Sequence, residues 1–177
     1  FSHTGSDSRY FNREGHYGPG GAWRDPESPY AGWYRIDRAS GRYDCWWGFE
    51  TLPNVNEEHP GYLEYLCGEQ GVLAKWMALG AGGWGVDVAD ELPDGFLDAV
   101  WRRVKAQDPA APVIGEVWED ASNKVSYGAR RRYLQGGQLD GVMNYPLRQA
   151  MIDFARGGGA EALLETVLTQ LEHYPPG

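Results

Sequence analysis

The chain has 177 residues, 42% of them hydrophobic, with 16 basic against 25 acidic side chains and a net charge of −9. That suffices for one globular core but falls short of the roughly 250 residues of an eight-unit α/β barrel, and its sign is wrong for holding a phosphate backbone, which excludes nucleic acid as a partner. No stretch approaches about 18 consecutive apolar residues, so no segment reads as a membrane-spanning helix, and Cys45 and Cys67 lack metal-like spacing and read as packed thiols.

Residues 4–60 are rich in Gly, Pro, Ser and Asn and hold no sustained helical period. They predict a loop-rich unit with a few short strands. The crowd of aromatic side chains from Tyr10 to Tyr65 marks this unit as an insertion rather than a linker, although so many rings with so few aliphatic residues are unusual for a core. From Pro60, Leu63, Leu66, Val72, Leu73, Trp76 and Met77 recur at helical spacing up to the glycine-rich stop at 80–83, which predicts one or two helices.

Residues 84–88 form a short apolar run, and 92–106 carry Phe96, Leu97, Val100, Trp101 and Val104 as one stripe, so a strand is followed by a helix. The unit recurs. Residues 112–117 predict a second strand and, after an irregular stretch at 119–138, residues 139–143 predict a third. The three runs lie about 26 to 29 residues apart, the spacing of βα units feeding a parallel sheet. Residues 147–155 and 161–171 predict amphipathic helices, and a further strand is expected after Gly177.

An open doubly wound sheet and a closed barrel both fit this series, and both bind ligands at the carboxyl ends of their strands. No G-x-G-x-x-G turn follows a strand, and the Gly-rich run at 80–83 precedes a strand instead of opening a helix, which disfavours a dinucleotide site. Acids at successive strand ends favour the barrel. Asp87 lies in Trp84-Gly85-Val86-Asp87-Val88 and Glu116 in Val113-Ile114-Gly115-Glu116-Val117-Trp118. A carboxylate in such a run has to be hydrogen-bonded or functional, because burying it unpaired costs several kcal/mol. On adjacent strands about 4.8 Å apart, the two carboxyls approach the ~5 to 5.5 Å separation of a retaining glycosidase, not the ~6.5 to 9.5 Å of an inverting one. From the residues alone, loop-capping carboxyls are the competing reading.

His3 in Phe1-Ser2-His3, the run Gly83-Trp84-Gly85-Val86-Asp87-Val88-Ala89-Asp90-Glu91 and Val113-Ile114-Gly115-Glu116-Val117-Trp118 resemble three ordered signature regions of the α-amylase superfamily, glycoside hydrolase family 13. The resemblance extends through Trp46-Trp47-Gly48, Leu52-Pro53-Asn54, 119–124 and Val142-Met143-Asn144-Tyr145-Pro146, and is nearest to the neopullulanase, cyclomaltodextrinase and maltogenic amylase group. It implies a fragment of a (β/α)8 barrel: residues 1–60 as the end of the third strand plus a loop-rich B-domain insertion, and 61–177 as the units around strands four to six. It implies Asp87 as nucleophile and Glu116 as acid/base on an α-glucan, with mainly α-1,4 bonds of cyclodextrins, pullulan, starch or maltooligosaccharides as targets. His3, Trp46, Trp47 and Trp118 are the implied substrate contacts. Glu116 is expected to start protonated, its pKa raised by the Asp87 charge and by the aromatic cover of Trp118. No cofactor is implied. Scattered acids offer no calcium loop here, so calcium is left to the full-length protein, as is a homodimer formed through an N-terminal domain. The resemblance favours a cytoplasmic location.

The chain departs from the family pattern twice. The position two before the nucleophile, normally Arg, is Gly85, and the third catalytic Asp is expected beyond Gly177. An Arg there would hold the nucleophile ionised and oriented by a charge-assisted bond. A catalytically impaired α-glucan-binding relative, or a non-functional fragment, is therefore the alternative, and transfer to another sugar instead of water stays open. We expect Gly85→Arg to raise kcat on the order of 10²-fold or more, by analogy with other mispositioned catalytic groups; steady-state kinetics showing an unchanged kcat would overturn this.

Overall fold

The computed structural model describes residues 1–126 and 128–175, so Tyr127 in the irregular stretch and Pro176 and Gly177 at the expected lead into a further strand lie outside the described residues. The chain separates into two compact units, Phe1–Val72 and Leu73–Gly177.

The first unit holds its loops by stacking rings on rings. Phe11 is fully buried and meets Tyr43 at 4.7 Å, Tyr34 at 5.0 Å and Trp23 at 5.7 Å between ring centroids. The aromatic crowd thus does build this unit's core, contrary to the expectation from composition. Aromatic side chains each remove a large area from water, so a few substitute for many aliphatic residues. One antiparallel hairpin, β1 (Ile36–Asp37) and β2 (Arg42–Tyr43), closes through a turn in which the Asp37 carboxylate accepts from the backbone N–H of Ala39 and Ser40. α1 (Pro60–Cys67) starts with Pro60 in its first turn and with His59 Nδ1 accepting from Gly61 N at 3.1 Å, a proline-led capped start. Its Tyr62 packs edge-on against the buried Trp33 at 5.2 Å, so the compact unit runs past residue 60. Cys45 and Cys67 form no disulfide among the described residues.

α2 (Val72–Ala78) leads into the second unit. There β3 (Trp84–Val86), α3 (Asp94–Gln107) and β4 (Val113–Gly115) follow in order. A small antiparallel hairpin comes next, β5 (Val125–Ser126) and β6 (Ala129–Arg130), and then β7 (Gly141–Val142), α4 (Tyr145–Ala155) and α5 (Ala160–His173). β3, β4 and β7 form one parallel sheet in that order, with Val86 opposite Gly115 and Gly115 opposite Val142. The three expected strands are thus neighbours, in an α/β arrangement consistent with part of a (β/α)8 barrel. Phe96, Leu97, Val100 and Val104 bury the predicted stripe of α3. Trp101 remains half-buried, its indole N–H donating to Asp140 Oδ1 at 3.4 Å.

Two polar anchors set this unit. At the amino end of the sheet Lys105 pairs with Asp140 at 2.8 Å, and Asp140 Oδ2 accepts from Val113 N at 2.8 Å. Near the start of α3 the buried Arg131 donates to Leu92 O (2.6 Å) and Ser126 Oγ (2.9 Å), meets Asp94 at 3.1 Å and lies over the Tyr133 ring. That arrangement compensates a buried guanidinium and ties the β5–β6 excursion down.

Gly115 sits where the sheet meets its cover: a Cβ there would come within 2.4 Å of Leu139 Cδ1 and 3.1 Å of Ala89 Cβ. Gly115→Ala should cost about 1–3 kcal/mol by overpacking. A chemical-denaturation midpoint lowered at constant slope would show it, and an unchanged midpoint would mean that Leu139 yields freely.

Candidate active site

β3 ends at Val86 because Val88 takes a left-handed conformation, φ 40° and ψ 48°, which is rare for a β-branched residue. The chain therefore turns just after Asp87. The ladder nevertheless continues: Glu116 N donates to Val86 O at 2.8 Å, and Ala89 N donates to Glu116 O at 2.9 Å. Asp87 and Glu116 thus occupy the position directly after β3 and the position directly after β4, one step beyond the Val86–Gly115 pair. Side chains alternate across a strand, so Gly85 and Asp87 share one face while Val86 is buried on the other.

The Glu116 carboxylate is surrounded by donors. Oε1 accepts from the Trp118 indole N–H and from the Tyr145 phenol, each at 2.9 Å, and Oε2 accepts from the Val88 backbone N–H at 3.1 Å. The Asp87 side chain is a further neighbour of the Glu116 carboxyl. The Trp118 bond, more than the Val88 and Tyr145 bonds, holds Glu116 below the usual carboxylate range, against a smaller upward push from burial. The expectation of a raised pKa is therefore corrected. Trp118 is 37% exposed and offers its N–H instead of apolar cover, and a donor to the charged form lowers a carboxyl pKa. The Tyr145 phenol is in turn pushed upward, chiefly by its bond to Glu116.

Lys124 braces the same end of the unit by pairing with Asp90 at 3.1 Å and with Glu119. A Cβ on Gly85 would meet no heavy atom within 4 Å, so the position where an Arg was expected is sterically open.

The first unit gathers the other expected residues. His3 pairs through its backbone with Asn54, takes Ser2 Oγ at 2.8 Å on its Nδ1, and faces the Trp46 ring at 5.5 Å. Trp46 stacks on Trp47 at 5.1 Å with 16° between planes, and Phe49 extends the row at 6.0 Å from Trp46. Trp47 is 63% exposed and Phe49 55%, and Trp47 is itself left-handed at φ 49°. A strained backbone that presents a large ring to water suits a contact surface better than a core. Asp87, Glu116 and Trp118 come together in the second unit, and His3, Trp46 and Trp47 in the first. Sequence reasoning missed Tyr145 and the Val88 N–H as partners of Glu116. Tyr145 opens α4 three residues after β7 ends, close enough to the strand's end to be a usable signal; a left-handed valine leaves none.

Carboxyls at the carboxyl ends of neighbouring parallel strands define an α/β domain of the kind in which barrel enzymes place their chemistry. No family model matches the chain. It is 33% identical over 176 residues to an amylopullulanase of Thermoanaerobacterium saccharolyticum, covering 89% of this chain and 13% of that protein. It is 39% identical over 114 residues to a Bacillus cyclomaltodextrinase, covering 63% of this chain and 18% of the relative. Among solved structures, the type III pullulan hydrolase of Thermococcus kodakarensis superposes with a TM-score of 0.76 at 27% identity, over 98% of this chain and 29% of that one. The chain belongs to the α-amylase family, and it spans less than a fifth of the length of these curated relatives.

The folded-state pKa of Glu116 lies below its ordinary value near 4.5. The ionised carboxylate therefore stabilises the fold above about that pH, and the contribution is lost as pH falls through the lower folded value. Trp118→Phe removes the strongest donor and should move the Glu116 titration upward, toward the ordinary range, in carboxyl ¹³C NMR. A titration identical to wild type would sink this account.

Proposed function

We propose that the protein is a retaining glycosidase that opens α-glucosidic bonds, mainly α-1,4, in cyclodextrins, pullulan, starch or maltooligosaccharides. The observation that carries the reading is the register of the paired strands β3 and β4, which puts Asp87 and Glu116 one step beyond the Val86–Gly115 pair on neighbouring strands about 4.8 Å apart, near the ~5 to 5.5 Å spacing of a retaining pair. Asp87 attacks the anomeric carbon while Glu116 protonates the leaving oxygen, and Glu116 then takes a proton from the water that releases the sugar. The names of the relatives, amylopullulanase and cyclomaltodextrinase, support the substrate class. In the same reading residues 1–60 are the end of the third strand plus the B-domain insertion, His3 binds a sugar hydroxyl, and the row of half-buried Trp46 and exposed Trp47 offers glucose faces an aromatic platform. Trp118, half-exposed beside Glu116, adds a substrate contact.

Gly85 favours a second reading, a glucan-binding relative with impaired chemistry, because a guanidinium from that position is missing beside Asp87. Kinetics and calorimetry separate the two. On pullulan or a cyclodextrin, Asp87→Asn and Glu116→Gln should each lower reducing-sugar release on the order of 10³-fold or more, the scale seen when a catalytic group is deleted. The first product seen by ¹H NMR should be the α-anomer. Glucan binding without sugar release, unchanged by Gly85→Arg, would select the binding protein instead.

A further inference from the structure

The donors around Glu116 are unevenly divided. An ionised carboxylate oxygen offers two lone-pair sites. On Oε1 both are taken, by the Trp118 indole and the Tyr145 phenol at 2.9 Å each, so a proton on this carboxyl has its site on Oε2, which accepts the Val88 N–H at 3.1 Å. We infer that Tyr145 is a positioning residue for Glu116: by completing the set on Oε1 it fixes the carboxyl plane and leaves Oε2 as the oxygen that carries the transferable proton. This rests on the reading of Glu116 as the acid/base.

The placement of Tyr145 is built into the fold. β7 lies against β4 with Gly115 opposite Val142, and Met143 N donates to Gly115 O at 2.9 Å, so the chain leaves the sheet beside Glu116. Asn144 caps α4 by accepting from Leu147 N at 3.0 Å, and Pro146 presets the backbone of the first turn. The Asn144 amide also exchanges two hydrogen bonds with Gln170 of α5, at 2.9 and 2.7 Å. Tyr145, the first residue of α4, is thereby held between a sheet and two helices. Such a start is stiffer than a loop, and positioned groups belong on stiff elements. Besides Glu116 itself, the charged groups facing the phenol are Asp87, after β3, and Arg148, on the next turn of α4.

In the proposed step the proton balance is simple. Oε2–H gives its proton to the departing glycosidic oxygen as Asp87 forms the bond to the anomeric carbon, and Oε2 later takes one proton from the attacking water. The phenol keeps its own proton throughout and only donates a hydrogen bond. With phenylalanine at 145, Oε1 regains a vacant site, the carboxyl can rotate, and the proton is divided between two oxygens of which one faces away from the substrate.

The test uses the protein labelled with ¹³C at its glutamate carboxyls, with Glu116→Gln assigning the resonance. Tyr145→Phe should move the Glu116 titration upward, because a donor to the charged form has been lost; an unchanged midpoint overturns the inference. On pullulan the same variant should lower kcat roughly 10-fold or more, at the low end of the range for general acid–base catalysis, with KM unchanged. A raised KM at constant kcat would mark Tyr145 as a substrate contact and would also overturn it. If Tyr145→Phe does not fold, the reciprocal titration serves: in Glu116→Gln the Tyr145 phenol should titrate lower than in wild type, and an unchanged phenol refutes the coupling. Wild-type turnover in Glu116→Gln would sink the acid/base reading, a result distinct from any of these because the titrations need no turnover.

Discussion

The register between β3 and β4 is the constraint on which the rest of the second unit depends. With Val86 opposite Gly115, the next residues are Asp87 and Glu116, and the backbone of Glu116 extends the ladder in both directions, donating to Val86 and accepting from Ala89. Slipping either strand by one residue would send its acid to the opposite face, because side chains alternate. Gly115 keeps the register accessible, since the Leu139 and Ala89 side chains occupy the space its Cβ would need. The strand spacing then places the two carboxyls beside each other at the end of the sheet.

The electrostatics around that pair are asymmetric. Glu116 has three donors that favour its ionised form, and the strongest effect comes from an indole that sequence reasoning took for apolar cover. A group serving first as acid and then as base needs both protonation states. The unliganded arrangement favours the base. A sugar oxygen arriving at Glu116 would compete with these donors, and each one displaced makes the protonated form easier to hold. The left-handed Val88 belongs to the same arrangement, because its strained backbone aims an N–H at Oε2. Backbone strain persists where the surroundings over-determine it, here between a buried side chain and the ladder.

The first unit solves another problem, that of a small segment with little regular structure. Phe11, Trp33, Tyr34 and Tyr62 are buried and supply apolar area in large pieces, while Trp47 and Phe49 remain outside. A core of rings therefore coexists with rings available for contact, and composition cannot tell which are which. The same residue types serve cohesion and recognition, and chain geometry assigns them.

The local pattern of the sequence determined much of this protein. Helical stripes, strand runs near 84, 113 and 141 and their βα spacing predicted α3, α4, α5 and the three parallel strands, because burying one face imposes a period on the chain. The same runs singled out Asp87 and Glu116, since charge inside an apolar segment is costly and stands out. Hydrogen-bond direction was not legible. That Trp118 donates, that Tyr145 reaches the same oxygen from the start of α4, and that Val88 turns left-handed are set by the tertiary structure, because Tyr145 and Val88 lie 29 and 28 residues from Glu116 and the Trp118 contact, only two residues long, depends on how the chain turns after β4. Sequence periodicity records which face is buried; only the folded arrangement decides which donor reaches which acceptor, and with it the charge state of the candidate acid.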